Sequence, residues 1–228
     1  ENVEYKKRAD YISSFFRRYA DKCDTVLDLA CGTGSVSKYL SDLGYNVIGL
    51  DLSDEMLTVA SSKQIKNAMF IKGDMTDFEL PHKVDCCVCS LDSINHLKDI
   101  VEVKKCFDCV YNSLNDGGVF VFDVNTVYKH KNVLGNNTFV FDEEDFFLSW
   151  DNEYLGDNTV RILLDFFVYN GKNYDRFSEE FNEKAYSVNE LKSVLNNFNI
   201  IGIYDELNLD DIKDDSERIY LVFRERGK

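Results

Sequence analysis

Up to Asn125 the apolar residues fall into short continuous runs separated by stretches of helical period. Val26-Leu27 with Leu29, Asn46 to Asp51, Ala68 to Lys72, Val84 to Cys89 and Gly118 to Phe122 read as buried strands of a parallel sheet. Between them, Lys38-Tyr39-Leu40 with Leu43, the segment opened by Ser53 as N-cap before Asp54-Glu55-Met56-Leu57, and about Lys98 to Asn112 read as helices, the last closed by the turn Leu114-Asn115-Asp116-Gly117. Strands alternating with helices predict a doubly wound α/β sheet, whose ligands bind at the carboxyl ends of the strands. From Thr138 to Tyr186 the period changes to two. Phe146, Leu148, Trp150 and Tyr154 alternate along one segment, and Val160, Ile162, Leu164, Phe166 and Val168 along the next. Asn170-Gly171-Lys172-Asn173 then turns the chain into a third segment, Tyr174 to Tyr186, which predicts an antiparallel insertion after the fifth strand. A helix from Val188 to Asn197 and strands near Ile200 to Tyr204 and Arg218 to Phe223 would complete the main sheet with an antiparallel hairpin.

The first strand runs into Asp28-Leu29-Ala30-Cys31-Gly32-Thr33-Gly34, where small residues let a ligand approach the backbone. A dinucleotide fingerprint would carry a third glycine where Ser37 stands. Asp28 before the turn suits a ligand with positive charge, such as the ammonium and sulfonium of S-adenosylmethionine (SAM). Asp51 ends the second strand, where a carboxylate can accept both ribose hydroxyls. Gly73-Asp74-Met75 follows the third strand, and Ser90-Leu91-Asp92-Ser93-Ile94-Asn95-His96-Leu97 the fourth. Every strand end thus carries a polar or acidic group.

On these residues the chain resembles the class I SAM-dependent methyltransferases. Within them it resembles glycine N-methyltransferase, the amino-sugar N-methyltransferases and a group of clostridial methyltransferases. The likeness runs from Glu4-Tyr5-Lys6-Lys7 through Val26 to Gly34, includes Asn95-His96-Leu97, and continues at Leu134 to Asn137 and Arg176 to Glu180. The resemblance implies a Rossmann-like seven-stranded sheet with an antiparallel β insertion after strand five. Residues 1–137 and 187–228 would form the SAM-binding core, and residues 138–186 an acceptor-site cover. It implies that Ala30 and Gly32 contact the methionyl part of SAM, that Asp51 holds the ribose, that Asp74 and Met75 take the adenine, and that Ser90 and His96 lie near the methionyl group and the methyl. The candidate cofactor set is Asp28, Ala30, Gly32, Gly34, Asp51, Leu52, Met56, Asp74, Met75, Ser90, Leu91 and His96, with S-adenosylhomocysteine (SAH) as product. His96 and Asp92 are the candidate catalytic residues, able to take a proton from an amine acceptor. Arg8 stands where relatives carry a cofactor-covering tryptophan. Asn125 stands where the glycine enzyme places a substrate-carboxylate arginine, which argues against free glycine as acceptor.

Composition narrows the picture further. A net charge of −15 opposes nucleic acid as partner, and no apolar run is long enough to span a membrane. Seven cysteines, an odd number set in mid-strand and mid-helix, read as reduced core residues of a cytoplasmic protein; zinc ligands at those places would have to converge inside the core. The expectation is a monomer or homodimer that methylates a small-molecule acceptor, an amine, without a metal. Two alternatives are an NAD-dependent oxidoreductase, which would leave Asp28 and Asp74-Met75 unexplained, and a non-catalytic SAM-binding module.

Overall fold

The computed structural model describes residues 4–227. Its elements run in the order α1 (Tyr5–Tyr19), β1 (Thr25–Leu29), α2 (Ser35–Asp42), β2 (Asn46–Asp51), α3 (Asp54–Ser62), β3 (Ala68–Lys72) and β4 (Val84–Cys89). A 3-10 turn (Ser93–His96), α4 (Ile100–Ser113), β5 (Leu114–Asn125) and a π-helical turn (Lys129–Leu134) follow. The chain ends with β6 (Thr138–Asp142), β7 (Phe146–Gly156), β8 (Thr159–Tyr169), β9 (Tyr174–Lys184), α5 (Val188–Ser193), β10 (Phe198–Asp205) and β11 (Arg218–Glu225). Seven strands form one sheet in the order β10-β11-β5-β4-β1-β2-β3, parallel from β1 to β5, with β10 and β11 antiparallel at one side. β6 to β9 form a separate antiparallel meander.

The apolar runs are continuous because both faces of the large sheet are covered. Val26, Val88, Val121 and Val222 point to the side where Ala9, Ile12 and Phe16 of α1 and Leu40 of α2 pack. Leu27, Cys87, Phe120 and Phe223 point to the other, against Val103 and Phe107 of α4 and Leu191 of α5. The small sheet has its own core of Val160, Ile162 and Leu134, with Phe139, Trp150 and Phe181 against it. Buried Asn95 stitches the two sheets together: its amide donates to the carbonyls of Asn125 at 3.1 Å and Lys184 at 3.0 Å, and its oxygen accepts from the Asn125 N–H at 2.9 Å.

Local signals agree with most element starts. Ser53 caps α3 by accepting from the Met56 N–H at 3.1 Å, and Asp99 caps α4 through the Val101 and Glu102 N–H groups. Boundaries differ in four places. Leu114 to Gly117 is the irregular start of β5 rather than a free turn, its register shifting opposite Val84 and Cys86. α5 stops at Ser193, short of Asn197. β6 adds a fourth strand to the insertion. α1 is an element for which the chain carries no N-cap side chain, and it is recognised only once its Ala9, Ile12, Phe15 and Phe16 stripe meets the sheet.

Candidate functional site

The backbone after β1 is shaped for close approach. Ala30 and Gly32 have φ of 56° and 53°, and a Cβ on Gly32 would meet nothing within 4 Å, so this turn opens onto free space. Two bonds hold it: the Cys31 N–H donates to the Leu50 carbonyl at 3.0 Å, and the Gly32 N–H donates to Asp51 Oδ2 at 2.7 Å. Asp51 Oδ1 accepts from the Ser53 N–H at 3.0 Å, so one carboxylate ties the ends of β1 and β2 together. Gly34 lies apart from both clefts described below. Its φ of 73° opens α2, and the Phe70 ring at 2.9 Å from an added Cβ excludes a side chain there.

A cleft of about 510 Å³ follows the carboxyl ends of β1 to β4. Ala30, Gly32, Asp51, Leu52, Met56, Asp74, Met75 and His96 all line it. Leu52 is 63% and Met56 44% exposed, so two apolar side chains of the cleft lining stand open to solvent. Asp74 Oδ1 accepts from the backbone and hydroxyl of Thr76, both at 2.8 Å, which fixes its carboxylate at the rim.

Next to it a hollow of about 340 Å³ is lined by Asp28, Ala30, Gly32, Met56, Ser90 and Leu91, with Tyr5 of α1 closing one side. Asp28 is buried and its side chain accepts from the Ser37 hydroxyl at 2.5 Å. Burial pushes its carboxyl up to about 7, against the hydrogen bonds from Ser37 that favour the charged form, and the negative charge of Asp51 adds to the rise.

Leu91 and Asp92, with φ of 59° and 52°, carry strained backbone past β4. Buried Asp123 on β5 holds them by accepting both N–H groups, at 2.9 and 3.1 Å. Asp123 also pairs with Arg218 of β11, whose guanidinium donates to Asp92 Oδ1 at 3.0 Å. Burial raises the Asp92 carboxyl, and the Arg218 charge and hydrogen bond together with the neighbouring Lys129 and His96 more than reverse this, leaving it below the usual carboxylate range. Asp92 Oδ2 meanwhile accepts from the Asn125 amide at 2.5 Å. Arg8, on the far side, is buried against Tyr220 and pairs with Glu206 at 3.0 Å.

Between the two sheets lies a third cavity of about 360 Å³. Its polar wall is Asp92, His96, Asn125, Lys129, Glu183 and Arg218; its apolar wall is Leu134, Leu148, Trp150, Ile162, Leu164 and Phe181. His96, about half exposed, borders both this cavity and the large cleft. Its ring lies 5.2 Å from that of Phe181, and its Nε2 is 3.8 Å from Glu183 Oε1. Lys129 donates to Asn125 Oδ1 at 3.0 Å, and burial together with the Arg218 charge lowers its ammonium from the ordinary lysine range.

Sequence reasoning missed Tyr5, Asp123, Lys129, Glu183 and Arg218. Glu183 had a signal: it follows Phe181 by two, so both face inward from β9, yet it sits in the acidic run after Ser178 and reads as a solvated face. Among the described residues no cluster of three or more His, Cys, Asp or Glu is placed to hold a metal, the seven cysteines are free, and no helix is long and apolar enough to cross a membrane.

Residues 26–118 match a family described as a methyltransferase domain. A putative methyltransferase of Bacillus subtilis, YqeM, is 35% identical over 177 residues, 75% of this chain and 71% of that protein. A dTDP-3-amino-3,6-dideoxy-alpha-D-glucopyranose N,N-dimethyltransferase of Streptomyces fradiae is 34% identical over 119 residues, 52% of this chain and 46% of that one. The crystal structure of an S-adenosylmethionine-dependent methyltransferase from Clostridium acetobutylicum superposes with a TM-score of 0.91 at 35% identity, covering 99% of this chain and 94% of that one.

Proposed function

The chain belongs to the class I SAM-dependent methyltransferases, and from that premise we propose that it methylates the nitrogen of a small-molecule amine. The cleft residues fit the cofactor. Exposed Leu52 and Met56, with Met75, offer the apolar cover an adenine ring needs, and Asp74 at the rim accepts from its amino group. Asp51 lines the cleft and each of its oxygens accepts one backbone N–H, which leaves further lone pairs for the ribose hydroxyls. Asp28, raised by burial, gains a cation in the methionyl ammonium, with Ala30, Gly32, Ser90 and Leu91 around it. When bound, SAM supplies a methyl group made electrophilic by the sulfonium.

One observation carries the choice of an amine. The polar wall of the acceptor cavity sets Asp92 and Glu183 against Lys129 and Arg218, and Asp123, buried behind the wall, pairs with Arg218, which leaves the Glu183 carboxylate without a lysine or arginine partner among the described residues. Arg218 is already engaged by Asp92 and Asp123, and Lys129, whose ammonium burial lowers, donates to Asn125 Oδ1, so both cations of the wall already have partners. His96, at the border of cleft and cavity, handles the amine proton, while Asp92 holds Arg218 and Asn125 in place. The amino-sugar activity of the Streptomyces relative belongs to the same chemical class.

The test is a screen of amines, amino sugars and carboxylic acids for SAM-dependent release of SAH. Turnover confined to amines, with the new methyl on nitrogen, is the expected result; turnover of a carboxylic acid or alcohol in preference would overturn the reading. Failure to bind SAM while binding NAD would overturn the premise itself.

A further inference from the structure

His130 lies in the π-helical turn beneath the acceptor cavity with no exposed surface. Its Nδ1 is 2.9 Å from the Asn158 carbonyl in the turn between β7 and β8. A carbonyl only accepts, so Nδ1 carries the hydrogen and Nε2 of the neutral ring is a bare lone pair. That Nε2 is buried and has no hydrogen-bond partner. It lies 3.7 Å from Glu183 Oε2, while Glu183 Oε1 is 3.8 Å from His96 Nε2 on the opposite side. Two bases therefore flank one nearly buried carboxylate, and an orphaned buried acceptor is costly until a proton reaches it.

We infer that Glu183 takes the proton from the acceptor amine, that buried His130 receives it behind the carboxylate, and that half-exposed His96 returns it to solvent. This rests on the amine reading above. The N–H bond of the ammonium breaks, its electron pair stays on nitrogen as the nucleophile, and the proton forms an O–H bond on Glu183. Passing on to His130 Nε2, it gives that nitrogen its missing hydrogen bond, back to the carboxylate. The nitrogen pair then forms the N–CH3 bond as the S–CH3 bond breaks with its electrons going to sulfur. The released proton leaves through Glu183 Oε1 and His96. Both separations, 3.7 and 3.8 Å, exceed a hydrogen bond, and the relay requires each to shorten by about an ångström once an acceptor is bound. Asn125, whose amide lies 3.3 Å from Glu183 Oε2, keeps the carboxylate turned toward His130.

The other charged groups around the array are Asp92 after β4, Lys129 on the π-helical turn, Arg218 on β11, and the Lys184–Asp157 pair beside Asn158. None of them contacts His130 Nε2. The chain has three histidines, His82, His96 and His130, so each imidazole is resolvable by nitrogen-15 NMR. The experiment titrates SAH-loaded protein with and without benzylammonium, with benzyl alcohol as the neutral control. In the wild type His130 is expected as the Nδ1–H tautomer, and benzylammonium moves its Nε2 signal toward the protonated position. Glu183→Gln, which preserves shape, abolishes the benzylammonium response at His130 and leaves the signal of exposed His82 unmoved. His130→Asn keeps the bond to Asn158, removes Nε2 and also abolishes the response at His96. A benzylammonium response at His130 that survives Glu183→Gln, or equal responses to amine and alcohol, would overturn the relay. Loss of SAH binding in the wild type would instead strike the methyltransferase premise.

Discussion

The two ends of the large sheet treat buried carboxylates in opposite ways. At the amino end Asp85 accepts four hydrogen bonds, from the Asp24 and Thr25 N–H groups, the Thr25 hydroxyl and the Asn115 amide, all between 2.9 and 3.0 Å. Burial alone would raise its carboxyl, and those donors bring it below the usual range. At the carboxyl end Asp28, the more deeply buried of the two, has Ser37 and is pushed up to about 7. A saturated acid needs nothing more and serves the fold. An undersupplied one is unfinished until a ligand arrives, and Asp28 lines the hollow that would receive one.

The largest effect that sharpens this contrast is on stability. Asp85→Ala orphans several buried donors at roughly 1 to 3 kcal/mol each, so denaturant melts should show a loss of about 3 kcal/mol or more with SAM affinity of the folded protein unchanged. A comparable loss of SAM affinity would break the division between the two ends. Next comes Asp51→Ala, which frees the Gly32 N–H and would remove the two ribose bonds proposed above; calorimetry should show SAM and SAH weakened tenfold or more, about 1.4 kcal/mol upward.

Asp28→Asn should act in opposite directions on ligand and fold. The wild-type carboxyl is raised from 3.8 to about 7, so the folded state holds its proton more tightly than the unfolded chain and stability falls as pH rises between those values. The amide variant lacks that slope and should be more stable at pH 8 by about 1 kcal/mol or more, a gain that shrinks toward pH 4. SAM binding should weaken several-fold in the variant, and in the wild type should weaken as pH falls below about 7. A variant less stable than wild type at pH 8 would show that Asp28 serves the fold as Asp85 does. The smallest effect on the cofactor is expected from Trp150→Ala on the insertion. SAM affinity should stay within about threefold, while kcat/KM for the amine found in the screen falls at least tenfold. A Trp truncated from a closed core costs about 3 to 5 kcal/mol and would carry all properties down together, and that pattern would leave the small sheet a packing element only.

How much of this was legible depends on the distance over which each residue acts. Asp28, Asp51 and Asp74 could be read because strand ends are marked locally by apolar runs turning polar, and the topology of a doubly wound sheet gathers those ends along one edge. The limits of β2, β3 and β4 were legible for the same reason. α1 was not, since no side chain caps its start and its apolar stripe has meaning only against β1, β5 and β11. Glu183, His130 and Arg218 acquire their roles from partners on other elements. Their neighbours in sequence describe an acidic strand, a polar linker and a terminal strand, and no local pattern says that the three converge with Asn125.

The arginine on the last strand bears on how the enzyme comes into being. Arg218 reaches Asp92 across 126 residues and Asp123 across 95. As the chain emerges from the ribosome, the elements around the cofactor cleft precede β11, and Asp123 must stay hydrated until that strand docks. The cavity between the two sheets is therefore the last part to close, behind a slow long-range pairing, and a chain cut before β11 would carry the strand-end cleft beside an unneutralised acidic gap.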